Sequence, residues 1–432
     1  MSTALKEWSK LAPPPGALAS GQEWTVFLSY RSVNRPWVIN LYDVLRGHGH
    51  KVFLDQVVLG AGDQLTRTLE DGLGKSAAGV LVWSSATADS EWVRREYEVM
   101  ERQATKRGFH FVPLRLDDAE LPLFAENRVF LDFSSYPDGP NGGELLRLLH
   151  AVVGQPLSPE AAHFAAEQDE AARRTTAQIK AAIRNGSAAR LRKLYEEDGL
   201  PWQTSAAVGC AAAEGLTRLK EYDAAIEMLA DIQTRFSRAI RPKQLEALAR
   251  ARRDAEGDLD EAQSILGELY ELGQRDPETL GIYARTWMDR YGKSGDTRHL
   301  RRSRELYAEA FDGAQDDYYT GVNAAAKSAF LGEPADLEAA RGYAERVQKI
   351  VGTEPVPGDY WKTATIGEVF LMQSDYARAA QLYQAAVDGA PEERGSHETT
   401  WKQACRLMAK LSPSADDRAR IRKVFAHLPD CT

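Results

Sequence analysis

Between about Glu23 and Gly154, short apolar runs alternate with amphipathic segments of helical period. Apolar runs separated by helical segments are typical of strands buried on both faces of a parallel sheet. The sequence therefore predicts a flavodoxin-like α/β domain with a five-stranded parallel sheet, in which ligands bind at the carboxyl ends of the strands. The predicted strands are Trp24–Tyr30, Lys51–Asp55, Ala77–Trp83, Phe109–Leu114 and Val129–Phe133, and the predicted helices are Pro36–Arg46, Asp63–Leu73, Glu91–Arg107 and Glu144–Val153.

The pattern changes after Gly154, where Gly154-Gln155-Pro156 and Ser158-Pro159 interrupt the chain. The residues that follow are rich in Ala, Glu and Arg, and we interpret 155–178 as a linker that is either helical or partly disordered. The predicted domains are thus a tail over 1–21, the α/β domain over 22–154, this linker, and an all-α domain over 179–432.

The all-α region repeats one unit, an alanine-rich helical segment followed by a short Gly/Asp turn and a second helical segment. Small residues on facing helices allow the close approach that tetratricopeptide repeats use, although the spacing here exceeds about 34 residues. We therefore predict irregular tetratricopeptide-like repeats, with a generic helical bundle as the alternative. The predicted pairs are Ala211–Leu219 with Glu221–Ile226, Leu245–Ala255 with Gly257–Ala262, Tyr319–Ala329 with Ala335–Ala340, and Trp361–Met372 with Ser374–Ala380.

Net charge, the length of apolar stretches, and the cysteines and histidines argue against several classes of protein. The chain has 432 residues and a net charge of −9, which argues against a surface that neutralises nucleic-acid phosphates. It has no apolar stretch near ~20 residues and no signal-peptide core before Ser20, so we expect a soluble, cytoplasmic protein. The spacing of its three cysteines, Cys210, Cys405 and Cys431, makes no metal box, and their odd number makes no disulfide framework, which favours a reducing compartment. The eight histidines are scattered, so we assign no metal.

Three short motifs stand at predicted strand ends or helix starts. Phe27-Leu28-Ser29-Tyr30-Arg31 closes the first strand, Val52-Phe53-Leu54-Asp55 closes the second, and Ser90-Glu91-Trp92-Val93-Arg94-Arg95-Glu96 opens the helix after the third. Residues four apart share one face of a helix, so Trp92 and Glu96 are expected to border one cleft.

In this order, the three motifs resemble those of the Toll/interleukin-1 receptor (TIR) domain family over about Trp24–Val153. In catalytic members, the glutamate of the W-x-x-x-E motif cleaves NAD+, and the resemblance carries that role to Glu96. It also implies substrate-binding roles for residues at the same sheet edge. These are Trp92, Ser29, Tyr30, Arg31, Asp55 and Ser84.

Structural alternatives stay open for these residues. Glu96 can be a solvated helix charge, because Glu91, Glu98 and Glu101 occupy the same helix, and Trp92 can be a core residue. Arg31 can pair with a pyrophosphate or form a surface salt bridge. Asp55 can contact ligand or hold the loop after it, Gln56–Gln64. That loop has Leu59-Gly60-Ala61-Gly62 where many TIR domains carry a proline.

The chemistry that the resemblance implies suits a single carboxylate. Cleavage between ribose C1′ and nicotinamide releases a neutral pyridine, so no general acid has to protonate the leaving group. The sugar becomes an oxocarbenium-like cation, which one positioned carboxylate can stabilise.

A second resemblance covers about Leu191–Ala390. Strings beginning at Asp276, Asp317 and Asp359 are similar to the tetratricopeptide-like region of apoptosis signal-regulating kinases and bacterial conflict proteins. The resemblance implies that this half binds a signal or partner and controls clustering of the TIR domain. Inter-repeat packing is the alternative role for Tyr318, Tyr319 and Asn323.

Together these features predict a regulated NAD+ glycohydrolase that acts in defence or cell-death signalling after TIR domains self-associate. NAD+ would be a substrate, with no cofactor, and an unknown protein or small molecule would act on the repeats. Two alternatives remain: a non-enzymatic scaffold that signals through TIR–TIR contacts, and a hydrolase of another nucleoside or nucleotide.

Overall fold

A computed structural model describes residues 10–55, 65–87, 91–117, 119, 129–136, 139–204, 206–237, 239–314 and 317–431. Contacts divide the chain into two compact units, Met1–Gly273 and Gln274–Thr432. The first unit therefore contains the α/β domain together with the first helical pairs that follow it.

The α/β domain has the predicted five-stranded sheet. Its strands are β1 (Trp24–Ser29), β2 (Val52–Phe53), β3 (Ser76–Trp83), β4 (His110–Arg115) and β5 (Leu131–Asp132). They lie in the order β2-β1-β3-β4-β5, and every neighbouring pair is parallel. The edge strands β2 and β5 have two residues each and are shorter than predicted.

Helices cover both faces of this sheet. They are α1 (Arg35–Gly47), α2 (Leu65–Gly74), α3 (Glu91–Arg107) and α4 (Gly142–Ala151). Because side chains alternate along a strand, Val26 and Leu28 of β1 pack in the core with α1 and α4, whereas Phe27 packs in the opposite core with α2 and α3. The central strand β3 is almost wholly buried, which explains its continuous apolar sequence.

The predicted linker becomes the long helix α5 (Pro159–Arg184), which packs against α4. It begins with the Ser158 hydroxyl accepting from the backbone N–H of Ala161 at 3.1 Å. Ala161 and Ala165 are buried in the same core as the sheet, and Asp169 accepts from the Gly143 N–H at 2.5 Å. This segment is therefore part of the first unit, with no break in the helix at 178.

The remaining helices pair in sequence as the repeat pattern predicts. In the first unit they are α6 (Ala188–Glu196), α7 (Leu200–Thr204), α8 (Ala206–Arg218), α9 (Tyr222–Arg235), α10 (Ile240–Arg253) and α11 (Asp258–Glu271). In the second unit they are α12 (Pro277–Ser294), α13 (Thr297–Gly313), α14 (Tyr318–Leu331), α15 (Pro334–Val351), α16 (Tyr360–Met372), α17 (Tyr376–Gly389), α18 (Arg394–Leu411) and α19 (Ala415–Val424).

Small residues bring the paired helices together. A Cβ atom at Gly321 of α14 would lie 2.6 Å from the Val347 side chain and 2.8 Å from Phe311. One at Gly367 of α16 would lie 2.9 Å from the ring of Tyr383. The helices could not pack this closely with a larger residue at either position.

The cysteines differ from the sequence expectation. Cys405 of α18 and Cys431 form a disulfide across 26 residues, with their Cα atoms 5.7 Å apart, and Cys210 is buried and takes no part in a disulfide. The expectation of no disulfide was wrong because the C-terminal segment folds back onto α18, where the Trp401 indole N–H donates to the Pro429 carbonyl at 2.8 Å. The number and spacing of the cysteines along the chain do not indicate that the C-terminal segment folds back onto α18. None of the helices described here is long and apolar enough to cross a membrane.

Candidate functional site

The predicted site residues that the structure describes lie along the carboxyl ends of the parallel strands. Ser29 is the last residue of β1, and Tyr30 and Arg31 follow it directly. Ser84 follows β3, the neighbouring strand, and the register pairs Ser29 with Leu81. Neighbouring parallel strands end at one edge of a sheet, so this edge collects polar groups from separate parts of the chain.

Glu96 faces this edge. The Ser29 hydroxyl donates to Glu96 Oε2 at 2.5 Å, across 67 residues of sequence. Ser29 is 1% exposed and Glu96 is half-buried, whereas Arg95 and Glu98 on the same helix are exposed. The side chain of Glu96 therefore differs from the solvated charges beside it.

The apolar side of α3 sets this orientation. Tyr97 is buried with its ring 5.6 Å from that of Phe111, and Met100 is fully buried one turn later. Because these two residues hold the helix against the sheet, the preceding residue, Glu96, is directed to the strand ends. Trp92 lies one turn earlier in α3, but its side chain is outside the described residues, so a shared cleft with Glu96 stays a prediction.

Tyr30 and Asp55 form the second part of the site. The Tyr30 hydroxyl donates to Asp55 Oδ1 at 2.6 Å and accepts from Arg35 Nε at 3.3 Å. Burial, and then the negative charge of Asp55, raise the pKa of Tyr30 well above its usual value of 10.0, so the phenol keeps its proton and acts as a donor. The contact ties Asp55 to the end of β1, and both predicted roles of Asp55, ligand contact and holding the loop, stay predictions. The loop over 56–64 lies outside the described residues.

Arg35 is a residue that the sequence analysis missed. Besides Tyr30, its guanidinium contacts the Gly273 carbonyl oxygen, which accepts from Nη1 at 2.8 Å. One signal could have found it: Arg35 is the first residue of α1, and a positive charge is unfavourable at the N-terminus of a helix. Such a placement indicates that contacts elsewhere hold the side chain.

Ser84 belongs to a buried hydrogen-bond network. Its hydroxyl is 2.9 Å from the donating Asn34 amide and 3.0 Å from the Thr87 hydroxyl. Ser84 is 4% exposed, so it joins the end of β3 to the turn before α1. The next residue, Ser85, donates its backbone N–H to Asp117 at 2.8 Å, and this bond connects the turn after β3 to the segment after β4. Asn34 and Asp117 were also missed by the sequence analysis.

Arg31 is half-buried beside Tyr30, and its carbonyl accepts from the Asn34 N–H at 2.8 Å. Its pairing with a pyrophosphate stays a prediction. In the part of the chain that the structure describes, no cluster of three His, Cys, Asp or Glu side chains could hold a metal ion. The chemical groups of the site are thus the carboxylates of Glu96 and Asp55, several hydroxyls, and the guanidinium groups of Arg31 and Arg35.

The second unit contains a buried polar network around the residues singled out in α14. The Asn323 amide donates to the Tyr319 carbonyl at 2.9 Å and its oxygen accepts from Lys327 Nζ at 2.9 Å. Lys327 also reaches Gln403 at 3.3 Å, and Gln403 donates to Glu368 at 2.6 Å. Burial lowers the pKa of Lys327 and raises that of Glu368. Lys327 therefore joins α14 to α18, and Gln403 joins α18 to α16, whereas the hydrogen bonds of Asn323 stay within α14. The packing role of Tyr318, Tyr319 and Asn323 stays a prediction.

Family comparisons match both parts of the chain. Residues 26–148 match the model described as the TIR domain, and residues 221–328 match the one described as Tetratricopeptide Repeats-Sensor. Both sequence resemblances are therefore confirmed. The TIR match includes Ser29, Tyr30, Asp55, Ser84 and Glu96.

Two curated relatives are named for reactions of NAD+ or its products. The chain is 31% identical over 77 residues to the NAD(+) hydrolase TcpA of Theionarchaea archaeon (strain DG-70-1), covering 18% of this chain and 23% of the relative. It is 33% identical over 78 residues to the probable 2′ cyclic ADP-D-ribose synthase TcpB of Brucella melitensis biotype 1 (strain ATCC 23456 / CCUG 17765 / NCTC 10094 / 16M), covering 18% of this chain and 31% of the relative. The chain thus spans less than a third of the length of these relatives.

Among solved structures, the TIR domain of the Toll-related receptor TRR-2 from Hydra magnipapillata matches with a TM-score of 0.24 and 20% identity. The match covers 26% of this chain and 86% of the receptor domain.

Proposed function

Because the chain joins a TIR domain to a tetratricopeptide-repeat sensor region, we propose that it is a regulated NAD+ glycohydrolase. It releases nicotinamide and forms ADP-ribose in a linear or cyclic form. The observation that carries this proposal is the hydrogen bond from Ser29 to Glu96 at the carboxyl ends of the strands, where ligands bind in this type of fold.

Glu96 is the catalytic residue of the proposed reaction. The bond between ribose C1′ and the pyridine nitrogen breaks, its electron pair stays with nicotinamide, and nicotinamide leaves as a neutral molecule. The carboxylate of Glu96 stabilises the cation that develops on the ribose. Ser29 orients that carboxylate by donating to Oε2. Water, or a nucleophile of the same ADP-ribose, then attacks C1′ and loses its proton.

The other polar groups of the site are proposed to bind the substrate or to hold its loop. Arg31 suits the pyrophosphate because a guanidinium can donate two parallel hydrogen bonds. Trp92 and Tyr30 would contact the nucleotide, Asp55 would fix the loop after β2, and Ser84 would shape the pocket wall.

Regulation is assigned to the repeats. A protein or small molecule binds them, TIR domains of several copies then associate, and the sites become active. The setting that fits is a cytoplasmic defence or cell-death response. This part of the proposal rests on the similarity of the two domains to their families. It predicts that activity depends on the concentration or clustering of the protein.

The test follows nicotinamide release by chromatography from full-length protein, both dilute and clustered on a multivalent support. We expect clustered wild type to release nicotinamide and Glu96→Gln to lower the rate by about 100-fold or more. Glu98→Gln is the matched control, since Glu98 is an exposed glutamate of the same helix, and it should keep the wild-type rate.

Two results would overturn parts of the proposal. If clustered wild type releases no nicotinamide, the TIR domain is a scaffold that signals by contact alone, or it acts on another nucleoside, which parallel incubations would reveal. If Glu96→Gln keeps the wild-type rate, the catalytic assignment is wrong.

A further inference from the structure

One contact joins the TIR domain to the repeat helices next to the candidate site. Arg35 Nη1 donates to the Gly273 carbonyl at 2.8 Å, across 238 residues of sequence, and both residues belong to the first unit. Around it, Ile240 at the start of α10 and Leu269 of α11 are buried in the same core as Trp37 of α1. The α10–α11 pair therefore packs directly on the helix that begins with Arg35.

The same guanidinium reaches the candidate site. Arg35 Nε donates to the Tyr30 hydroxyl at 3.3 Å, and Tyr30 donates to Asp55 at 2.6 Å. Tyr30 follows Ser29, the residue that donates to Glu96. A continuous series of hydrogen bonds thus runs from the Gly273 carbonyl to Asp55, where the loop after β2 begins.

The contacts of Arg35 are those of a side chain that links two acceptors, rather than those of a solvated surface charge. Its acceptors here are a carbonyl and a hydroxyl oxygen, and it stands at the helix end where a cation is unfavourable. A guanidinium has donors on several edges in a fixed plane, so it can hold two acceptors at a set separation. If the Gly273 carbonyl moves, the guanidinium moves with it, and the Tyr30 hydroxyl has to shift to keep its hydrogen bond.

We propose that Arg35 is a positioning residue that couples the turn at Gly273 to the Tyr30–Asp55 pair and thereby tunes NAD+ binding. The inference rests on the proposed function for its kinetic consequence. Displacement of the Gly273 carbonyl loosens Tyr30 and Asp55, whereas the Ser29–Glu96 contact stays intact. The effect therefore falls on KM for NAD+ rather than on kcat.

A double-mutant cycle on the full chain tests the coupling. Arg35→Leu removes the donor, and Gly273→Val displaces the acceptor, because a β-branched residue does not hold the φ of 82° that Gly273 has. Gly257→Val is the matched control, since Gly257 also has a φ of 82° and lies in the turn before α11. Arg46→Leu is the control on α1, because Arg46 contacts Tyr42 in that helix.

Two readouts are followed in every variant: the kinetics of nicotinamide release, and hydrogen exchange of the 52–55 segment. We expect Arg35→Leu and Gly273→Val each to raise KM about three- to tenfold, with kcat within about twofold of wild type. The double variant should be no worse than either single one, and both changes should speed exchange at 52–55. Combining Arg35→Leu with Gly257→Val should add independent effects, and Arg46→Leu should change neither readout.

Additive effects of Arg35→Leu and Gly273→Val, or unchanged exchange at 52–55, would overturn the coupling. A kcat loss without a KM change would also contradict it. If wild type releases no nicotinamide, the proposed function fails while the exchange measurement still decides the coupling. If Glu96 is required but exchange at 52–55 is insensitive to Arg35→Leu, the coupling alone fails.

Discussion

Replacing Ser29 by alanine isolates the contact on which the candidate active site depends. The serine is 1% exposed, and its hydroxyl donates to Glu96 Oε2 at 2.5 Å. A hydrogen bond to a charged group contributes about 1.5–3 kcal/mol. If that energy serves to hold the carboxylate towards the ribose, its loss lowers kcat by about 10- to 100-fold, because 1.4 kcal/mol corresponds to a factor of ten.

The assay is nicotinamide release by clustered full-length protein, with kcat and KM measured separately. Ser76→Ala is a matched control, since Ser76 is also a buried serine of the sheet, and its hydroxyl donates to the Gly72 carbonyl at 2.7 Å. Ser76 is the first residue of β3 and so lies at the opposite, amino end of the strands. We expect Ser76→Ala to lose about 1 kcal/mol of unfolding free energy and Ser29→Ala about 1.5–3 kcal/mol, with a kcat loss in Ser29→Ala alone.

A folded Ser29→Ala variant with wild-type kcat would refute this reasoning, because Glu96 would then be oriented without its observed donor. Equal losses of kcat in Ser29→Ala and Ser76→Ala would also refute it. Such a result would show that the activity reports the general stability of the sheet.

Three further predictions concern stability. Burial lowers the pKa of His50 to about 4 from 6.5, so His50 stays neutral in the folded protein while it gains a proton in the unfolded chain. Urea unfolding should therefore show the free energy of unfolding falling by about 2–3 kcal/mol as the pH drops from 6.5 towards 4. Lys327→Met should lower the unfolding free energy by about 3 kcal/mol in the same assay, because it leaves the buried Glu368 without its cation. Reducing the Cys405–Cys431 disulfide should lower the Tm, because the cross-link closes a loop of 26 residues and contributes about 3 kcal/mol.

Each of these predictions has its own control. His163→Gln should leave the acid slope unchanged, since the His163 side chain is 79% exposed, whereas His50→Gln should flatten it. Adding Glu368→Leu to Lys327→Met should restore stability, because no unpaired charge stays buried. The Tm of a Cys405→Ser variant should not respond to reductant. If His50→Gln keeps the wild-type acid slope, burial of His50 is not its cause. If the double variant does not recover stability, the unpaired Glu368 charge is not the cause of the loss. If the Tm of Cys405→Ser still responds to reductant, the disulfide is not the cause of that response.

Periodicity along the chain predicted much of the architecture. The β3 prediction was within one residue, since a strand covered on both faces must be apolar throughout, and α3 begins and ends where its pattern indicated. The edge strands were predicted too long, because an apolar run does not reveal how many of its residues find a hydrogen-bonding neighbour. The helical pairs were predictable since their small residues meet across a short turn.

The candidate site was predictable only where it depends on local geometry. The end of the first predicted strand placed Ser29 at the carboxyl edge, and a helical period placed Trp92 and Glu96 one turn apart. The donor to Glu96 is 67 residues distant, and the acceptor of Arg35 is 238 residues distant. Neither pairing leaves a trace in local periodicity, because each arises from how separate elements pack.

The sequence by itself thus determined the two kinds of domain, the strands and helices, and the edge at which polar groups collect, since these follow from short-range burial and backbone geometry. The tertiary structure alone decided that Ser29 meets Glu96, that Arg35 bridges Tyr30 and Gly273, and that Cys405 meets Cys431. Those pairings depend on the docking of whole helices and strands. Docking is governed by the fit of complete surfaces, which no short stretch of residues encodes.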